Sequence, residues 1–276
     1  TPEEQHYQAI ALGGITNGAT NYEMTAAYAA IANYGVYNEP KLYTKVLDHD
    51  GNILIDNTTS TSHRVIKEST AWLLDSALRS VVTDNLTYLK SDNMYYAGKS
   101  GTSQLNTDKW FIGFSPYYTA GIWIGNDDST PVNTNYYTMT HLYIWRDVME
   151  HAHENLEYTE FQKPYNIVEA QVCAESGKLA IPGLCDSDPR GSQIITEYFE
   201  DGTVPTEVCD VHIQVTMCRN SGKIATDNCP PESRYKAVYI KKDLSLIQNI
   251  DQYIVTDLNY VITPDKLKDE CDIHGH

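Results

Sequence analysis

No stretch of this chain approaches the roughly 18–20 consecutive apolar residues needed to span a bilayer. No basic and apolar leader opens it either: Thr1-Pro2-Glu3-Glu4-Gln5 reads as mid-protein sequence. Basic residues are scarce, 20 Lys and Arg against 37 Asp and Glu, for a net charge of −17. That deficit argues against nucleic acid and against an anionic membrane surface as partners, and no membrane insertion by this chain is expected. Phenylalanine is rare, 4 residues against 21 tyrosines, a bias that suits solvent-facing strand positions. Cysteine is absent from the first 172 residues and then appears six times, at Cys173, Cys185, Cys209, Cys218, Cys229 and Cys271.

An even number of cysteines in a loop-rich tail points to disulfides and an oxidising, extracytoplasmic setting. Zinc is the rival, and the absence of any Cys-x-x-Cys pair ranks it second, so neither a metal nor a cofactor is expected. The tail repeats itself. Gln171-Val172-Cys173-Ala174-Glu175-Ser176-Gly177-Lys178-Leu179-Ala180 is echoed by Val215-Thr216-Met217-Cys218-Arg219-Asn220-Ser221-Gly222-Lys223-Ile224-Ala225, and Cys209-Asp210-Val211-His212 by Cys271-Asp272-Ile273-His274. The simplest linkage joins Cys173 to Cys185 and Cys218 to Cys229, leaving Cys209 and Cys271. The spacing does not settle the pairing. His274-Gly275-His276 reads as a disordered end, and His151-x-His153 as a surface helix end, because i and i+2 diverge on a helix.

At 276 residues and 41% hydrophobic the chain can bury a sizeable core in one or two domains. Thr20-x-x-Glu23 begins a helix expected over 20–34, with Gly35 at its stop. Residues 42–48 and 53–56 flank Asp50-Gly51 as a hairpin. A second helix is expected over 68–83 and a closing one over 139–152. Between them lie strand candidates at 94–99, 110–114 and 118–124, the last two joined by a tight Ser115-Pro116 turn and so antiparallel.

The chemistry centres on Lys99-Ser100-Gly101-Thr102-Ser103. A lysine, small hydroxyl residues and a glycine on an edge-like strand make an anion-binding wall. Gly101 lets a substrate backbone approach closely, and backbone N–H groups there suit an oxyanion. The plain alternative is a solvated strand with an ordinary lysine.

The flanking residues separate the two. Ala11-Leu12-Gly13-Gly14-Ile15-Thr16-Asn17-Gly18 leading into the first helix, Thr70-Ala71-Trp72-Leu73 through Val82, and Asp108-Lys109-Trp110-Phe111-Ile112-Gly113-Phe114-Ser115-Pro116 after the lysine resemble bifunctional, class A penicillin-binding proteins, over about residues 8–150. The tail is similar to that of some Gram-positive members. The resemblance implies an α/β (α+β) transpeptidase fold, an antiparallel sheet with flanking helices, over residues 1–160, followed by a small disulfide-rich, mostly β and loop extension over 161–276. It implies that Lys99 supplies a fixed charge, that the Thr102 hydroxyl holds the carboxylate of a D-Ala-D-Ala stem peptide or a β-lactam, and that the Thr102 N–H is half of an oxyanion hole. Ser100, Gly101 and Ser103 complete the substrate wall.

The nucleophile is missing. The family's chemistry is an acyl-enzyme on the serine of a Ser-x-x-Lys, with a Ser-x-Asn motif, both N-terminal to the lysine strand. Here the sole Ser-x-x-Lys, Ser233 to Lys236, lies in the tail, and Ser91-Asp92-Asn93 stands too near Lys99; both read as coincidences. The expectation is therefore the C-terminal piece of a peptidoglycan transpeptidase, inactive alone. Its partners would be stem peptides, β-lactams and an absent N-terminal half of the domain, on the outer face of a bacterial membrane. The rivals are a non-catalytic wall-binding module and a D,D-carboxypeptidase or β-lactamase-like hydrolase.

Overall fold

The computed structural model describes residues 8–15, 18–132, 139–242 and 259–274. Thr1-Pro2-Glu3-Glu4-Gln5, Thr16-Asn17 and Gly275-His276 lie outside them. The chain divides into two compact units, residues 1–166 and 167–276. No helix among the described residues is long and apolar enough to cross a membrane.

The first helix, α1 (Asn21–Ala32), starts where its cap is written: the Glu23 N–H donates to the Thr20 hydroxyl, and the Glu23 carboxylate accepts from the Thr20 N–H at 2.9 Å. It stops three residues before Gly35, which adopts φ +84° under the Ile66 carbonyl, where a Cβ would sit 2.2 Å from that oxygen. Strand β1 (Val36–Asn38) pairs with β4 (Ser62–Arg64), a pairing with no clear sequence signal in its three-residue strands. Between them β2 (Lys45–Leu47) and β3 (Ile53–Asp56) form the antiparallel hairpin expected around Asp50-Gly51. Helix α2 (Glu68–Ser80) follows.

The central sheet is β5 (Ala97–Thr102), β6 (Asp108–Phe114) and β7 (Thr119–Gly125), antiparallel in that order. Helix α3 (Thr140–Ala152) closes the unit. Glycines set how closely the layers approach. A Cβ on Gly121 of β7 would meet the Thr25 hydroxyl of α1 at 2.1 Å, and one on Gly113 of β6 would meet the Trp145 ring of α3 at 2.6 Å. Ile112 pairs with Gly121 and precedes Gly113 along β6, so the two helices cover opposite faces of the sheet. The core fills the α3 face: Val82, Leu89, Met94, Tyr96, Phe111 and Trp145 are all buried. Tyr96 and Phe111 meet Trp145 edge-on, with centroids 5.4 and 4.8 Å away.

Strand β5 starts three residues later than expected. Met94 and Tyr96 are spent on the core, and the polar run Lys99 to Thr102 is strand because β6 pairs with it residue for residue. The residues 115–118 turn is tied by Ser115, whose hydroxyl accepts from the Tyr117 and Tyr118 N–H groups and contacts His153 Nε2 at 2.7 Å. His153 Nδ1 meets the Met149 carbonyl at 2.6 Å. His153 is thus a buried packing residue; only His151 is the exposed helix end the sequence suggests.

The second unit holds two hairpins: β8 (Ile167–Cys173) with β9 (Ile194–Glu200), and β10 (His212–Cys218) with β11 (Arg234–Lys241). A short β12 (Val261–Ile262) adds parallel to β11.

Asp75 on α2 is buried. Its Oδ2 accepts the Tyr95 hydroxyl at 3.0 Å, and its Oδ1 has no hydrogen-bond partner among the described residues. Burial pushes this carboxyl up to about 7, against the Tyr95 bond and the nearby Arg79 charge. A carboxyl raised on folding costs nothing while neutral and lowers stability as pH climbs from its unfolded value, about 4, through 7. Asp75→Asn is neutral and isosteric. It is expected to raise the Tm of the chain by about 5 °C at pH 8 and to leave it nearly unchanged at pH 4.5. Equal shifts at both pH values in thermal denaturation would contradict an ionisation cost.

Candidate active site

Strand β5 is an edge, paired to β6 on one side and to no other strand among the described residues. Its free side carries the polar run. The Ser103 N–H donates to the Asp108 carbonyl at 3.1 Å, which sets the phase of the ladder. In an antiparallel pair hydrogen-bonded residues alternate, so Lys99 and Gly101 turn their backbone groups toward β6. Ser100 and Thr102 turn theirs to the open edge. Lys99 Nζ reaches round to the Ser100 carbonyl at 2.8 Å, as that phase requires. Lys99 and Thr102 are exposed, and Ser100 and Gly101 half-buried.

The neighbouring residues hold this edge rather than join it. The Ser103 hydroxyl, expected in the substrate wall, is engaged in the turn: it accepts from the Asp108 N–H at 2.7 Å and meets the Thr107 hydroxyl at 2.6 Å. Asp108 in turn accepts Trp123 Nε1–H at 2.9 Å, the main cause holding its carboxyl below the usual range. Trp123 lies against Trp110, centroids 6.3 Å apart. On the α3 face Lys109 and His141 are both buried; burial and the Lys109 charge lower the His141 pKa.

The other sequence candidates lie elsewhere. Ser233 is buried and donates to the Pro230 carbonyl at 2.7 Å, while Lys236 sits on β11. Ser91 accepts from the Asn93 N–H at 3.2 Å, a local turn.

The tail overturns the disulfide expectation. Cys173, Cys185, Cys209, Cys218, Cys229 and Cys271 are all free and buried. They are grouped in threes, because a parallel bridge from Leu179 to Val208 brings Cys209 back to the first repeat, and one from Ile224 to Glu270 brings Cys271 back to the second. Each trio has a histidine beside it, His212 in the first and His274 in the second. His274 is therefore placed, not part of a loose end. Sequence reasoning missed both histidines as site residues; the signal was the Cys-x-x-His spacing present in both repeats. The free thiols also withdraw the support that cysteine usage gave to an oxidising compartment.

Known families match both units. The family "Penicillin binding protein transpeptidase domain" matches residues 2–131, and "Penicillin-binding protein 1A, C-terminal domain" matches residues 163–214. Penicillin-binding protein 1A of Clostridium botulinum is 36% identical over 250 residues, 88% of this chain and 30% of the relative. Penicillin-binding protein 1A of Clostridium tetani is 38% identical over 216 residues, 74% of this chain and 27% of the relative. The crystal structure of penicillin-binding protein 1A from Haemophilus influenzae superposes with a TM-score of 0.57 at 22% identity, covering 69% of this chain and 33% of that one, a likeness of fold alone. The helices packed on an antiparallel sheet are those of a penicillin-binding transpeptidase fold. The chain belongs to the class A penicillin-binding protein family. It spans about 30% of the length of these curated relatives.

The two glycines of β5 make the site separable from the fold. A Cβ on Gly98 would lie 2.7 Å from the Phe111 ring and 2.8 Å from the Gly113 Cα, whereas one on Gly101 would meet only Trp110 Cβ, at an ordinary 3.5 Å. Gly98→Ala is expected to cost about 2 kcal/mol and Gly101→Ala less than about 0.5 kcal/mol in denaturant unfolding. Equal losses would mean that Gly101, too, is a packing glycine.

Proposed function

We propose that residues 99–102 form one wall of a D,D-transpeptidase site whose nucleophilic serine lies on a segment outside this chain. The observation that carries this reading is the open edge of β5, with the Thr102 N–H and the Lys99 ammonium on its free side. The serine oxygen attacks the carbonyl of the penultimate D-Ala, and the developing oxyanion takes a hydrogen bond from the Thr102 N–H. The terminal D-Ala leaves as the amine. The Thr102 hydroxyl holds the substrate carboxylate and Lys99 supplies the positive charge that draws it in. An amine on a neighbouring strand of peptidoglycan then takes the acyl group, closing the cross-link and freeing the serine. A β-lactam enters the same wall because its carboxylate and strained amide mimic the D-Ala-D-Ala end.

In this reading Ser100 and Gly101 shape the strand and admit the substrate backbone, and the parent protein works from the outer face of the bacterial membrane. Hydrolysis by a D,D-carboxypeptidase or β-lactamase would use the same wall, with water replacing the amine; product analysis with and without an amine acceptor separates the two. A non-catalytic wall-binding module would form no acyl-enzyme.

Intact mass of the naturally expressed protein, with and without benzylpenicillin, tests the reading. One adduct is expected, on a serine N-terminal to this sequence, and none on residues 1–276 alone. In the natural protein Lys99→Ala should slow adduct formation by about 10²–10³-fold. A natural protein that takes no adduct, or takes it at Ser233, overturns the proposal.

A further inference from the structure

The two cysteine groups of the tail are built alike to a degree that packing alone does not require. In the first, Cys173, Cys185, Cys209 and His212 are all buried, and in the second Cys218, Cys229 and Cys271 are buried with His274 half-buried. In each group the four ligand atoms lie within 4.8 Å of one another. His212 Nδ1 lies 3.3 Å from both Cys173 Sγ and Cys209 Sγ, and His274 Nδ1 lies 3.4 Å from both Cys218 Sγ and Cys271 Sγ. These are close to the edge, about 3.6 Å, of a tetrahedron drawn with ordinary zinc–sulfur and zinc–nitrogen bonds.

Backbone N–H groups are aimed at the sulfurs at matching positions. Ile181 N–H points at Cys185 Sγ at 3.3 Å, and Thr226 N–H at Cys229 Sγ at 3.4 Å. The N–H groups of Val211 and His212 face Cys209, as those of Ile273 and His274 face Cys271. Such donors stabilise thiolate rather than thiol. The turn after the first cysteine is also duplicated: Gly177 and Gly222 take φ +69° and +71° and donate to the Cys173 and Cys218 carbonyls at 2.8 Å. Lys178 ties the first turn to Glu207 and Asp210, and Lys223 ties the second to Asp269 and Asp272.

Disulfides do not answer this arrangement. Three thiols meet in each group, so one is always left over. Nor does a plain hydrophobic cluster, because an imidazole nitrogen points into each trio. His212 Nε2 lies 2.8 Å from the Asp188 carboxylate, which Arg190 also holds. An imidazole donating Nε2–H to Asp188 keeps its lone pair on Nδ1, facing the sulfurs, the arrangement by which a carboxylate orients a metal-bound histidine.

We propose that the C-terminal unit carries two structural Cys3His sites, each taking one tetrahedral, thiophilic divalent cation, Zn²⁺ by the chemistry of its donors. Each site supplies four protein ligands and leaves no open position, so the ion staples rather than catalyses. Binding exchanges the thiol protons for the metal, with no change of oxidation state. Besides the partial exposure of His274, the two sites differ in the partner of the histidine. In the second, His274 Nε2 meets the Asn220 side-chain amide at 3.3 Å, where His212 meets a carboxylate. The first site therefore holds its ion more tightly.

The test uses the full chain, purified under reductant and reconstituted with ZnCl₂. About two zinc ions per chain are expected by elemental analysis, with all six cysteines protected from alkylation. Release to a chelator should be biphasic. Asp188→Asn should weaken the slower site by about 10–100-fold and remove the gap between the phases. Cys209→Ser and Cys271→Ser should each remove about one ion. Should those variants fail to fold, Co²⁺ titration of the unsubstituted chain gives the same answer, through thiolate charge-transfer and tetrahedral d–d bands saturating at about two equivalents. Six thiols alkylated equally fast with and without Zn²⁺, or fewer than about one ion bound at saturation, would overturn the proposal. So would recovery of these cysteines as disulfides from the natural protein.

Discussion

The pairing of β5 with β6 is the constraint on which the candidate active site depends. It commits the backbone groups of Lys99 and Gly101 to the sheet and, by the alternation of an antiparallel ladder, turns those of Ser100 and Thr102 outward. The phase is held at one end by the Ser103, Thr107 and Asp108 turn and at the other by the contact of Gly98 with Phe111 and Gly113. Behind β6, Trp145 fills the space that Gly113 leaves open. A substitution that slides β5 by one residue would exchange the inward and outward sets and take the Thr102 N–H off the edge.

The second unit meets a different constraint. A two-stranded hairpin buries too little apolar surface to be stable alone. The first repeat centres its small cluster on Cys173, Cys185 and Cys209, and the second on Cys218, Cys229 and Cys271. In both repeats the cysteines take the place of large apolar side chains. Four ligand atoms converging from distant positions close loops that the hairpins alone leave open, and an ion held there lends folding free energy that the core does not supply. Lys178 and Lys223, each between two carboxylates, fasten the returning segment from outside.

Much of the first unit was legible because its signals are local. Thr20 and Glu23 spell a capping box, Asp50-Gly51 a hairpin turn, and Ser115-Pro116 a tight connection, and each decides its structure within a few residues. The start of β5 was not legible, because Met94 and Tyr96 look like strand residues and only the core they enter shows otherwise. His153 carried no sign of burial; its partner Ser115 lies 38 residues away. Of the candidate wall, Lys99 and Thr102 were readable from a five-residue motif, whereas the diversion of the Ser103 hydroxyl into the turn depends on Thr107 and Asp108. The cysteine groups failed for the same reason on a larger scale. The repeats were visible, but pairing cysteines by nearest neighbours assumes that each unit closes on itself. The bridges from Leu179 to Val208 and from Ile224 to Glu270 bring in a third cysteine and a histidine from beyond the unit.

The outward-facing edge of β5 is the central claim, and a crystal structure of the natural full-length protein acylated by benzylpenicillin tests it most directly. The account predicts the acyl carbonyl oxygen within about 3 Å of the Thr102 nitrogen and the β-lactam carboxylate on the Thr102 hydroxyl, beside Lys99. An acyl group bound elsewhere, or another strand of the protein paired along this edge of β5, would contradict it.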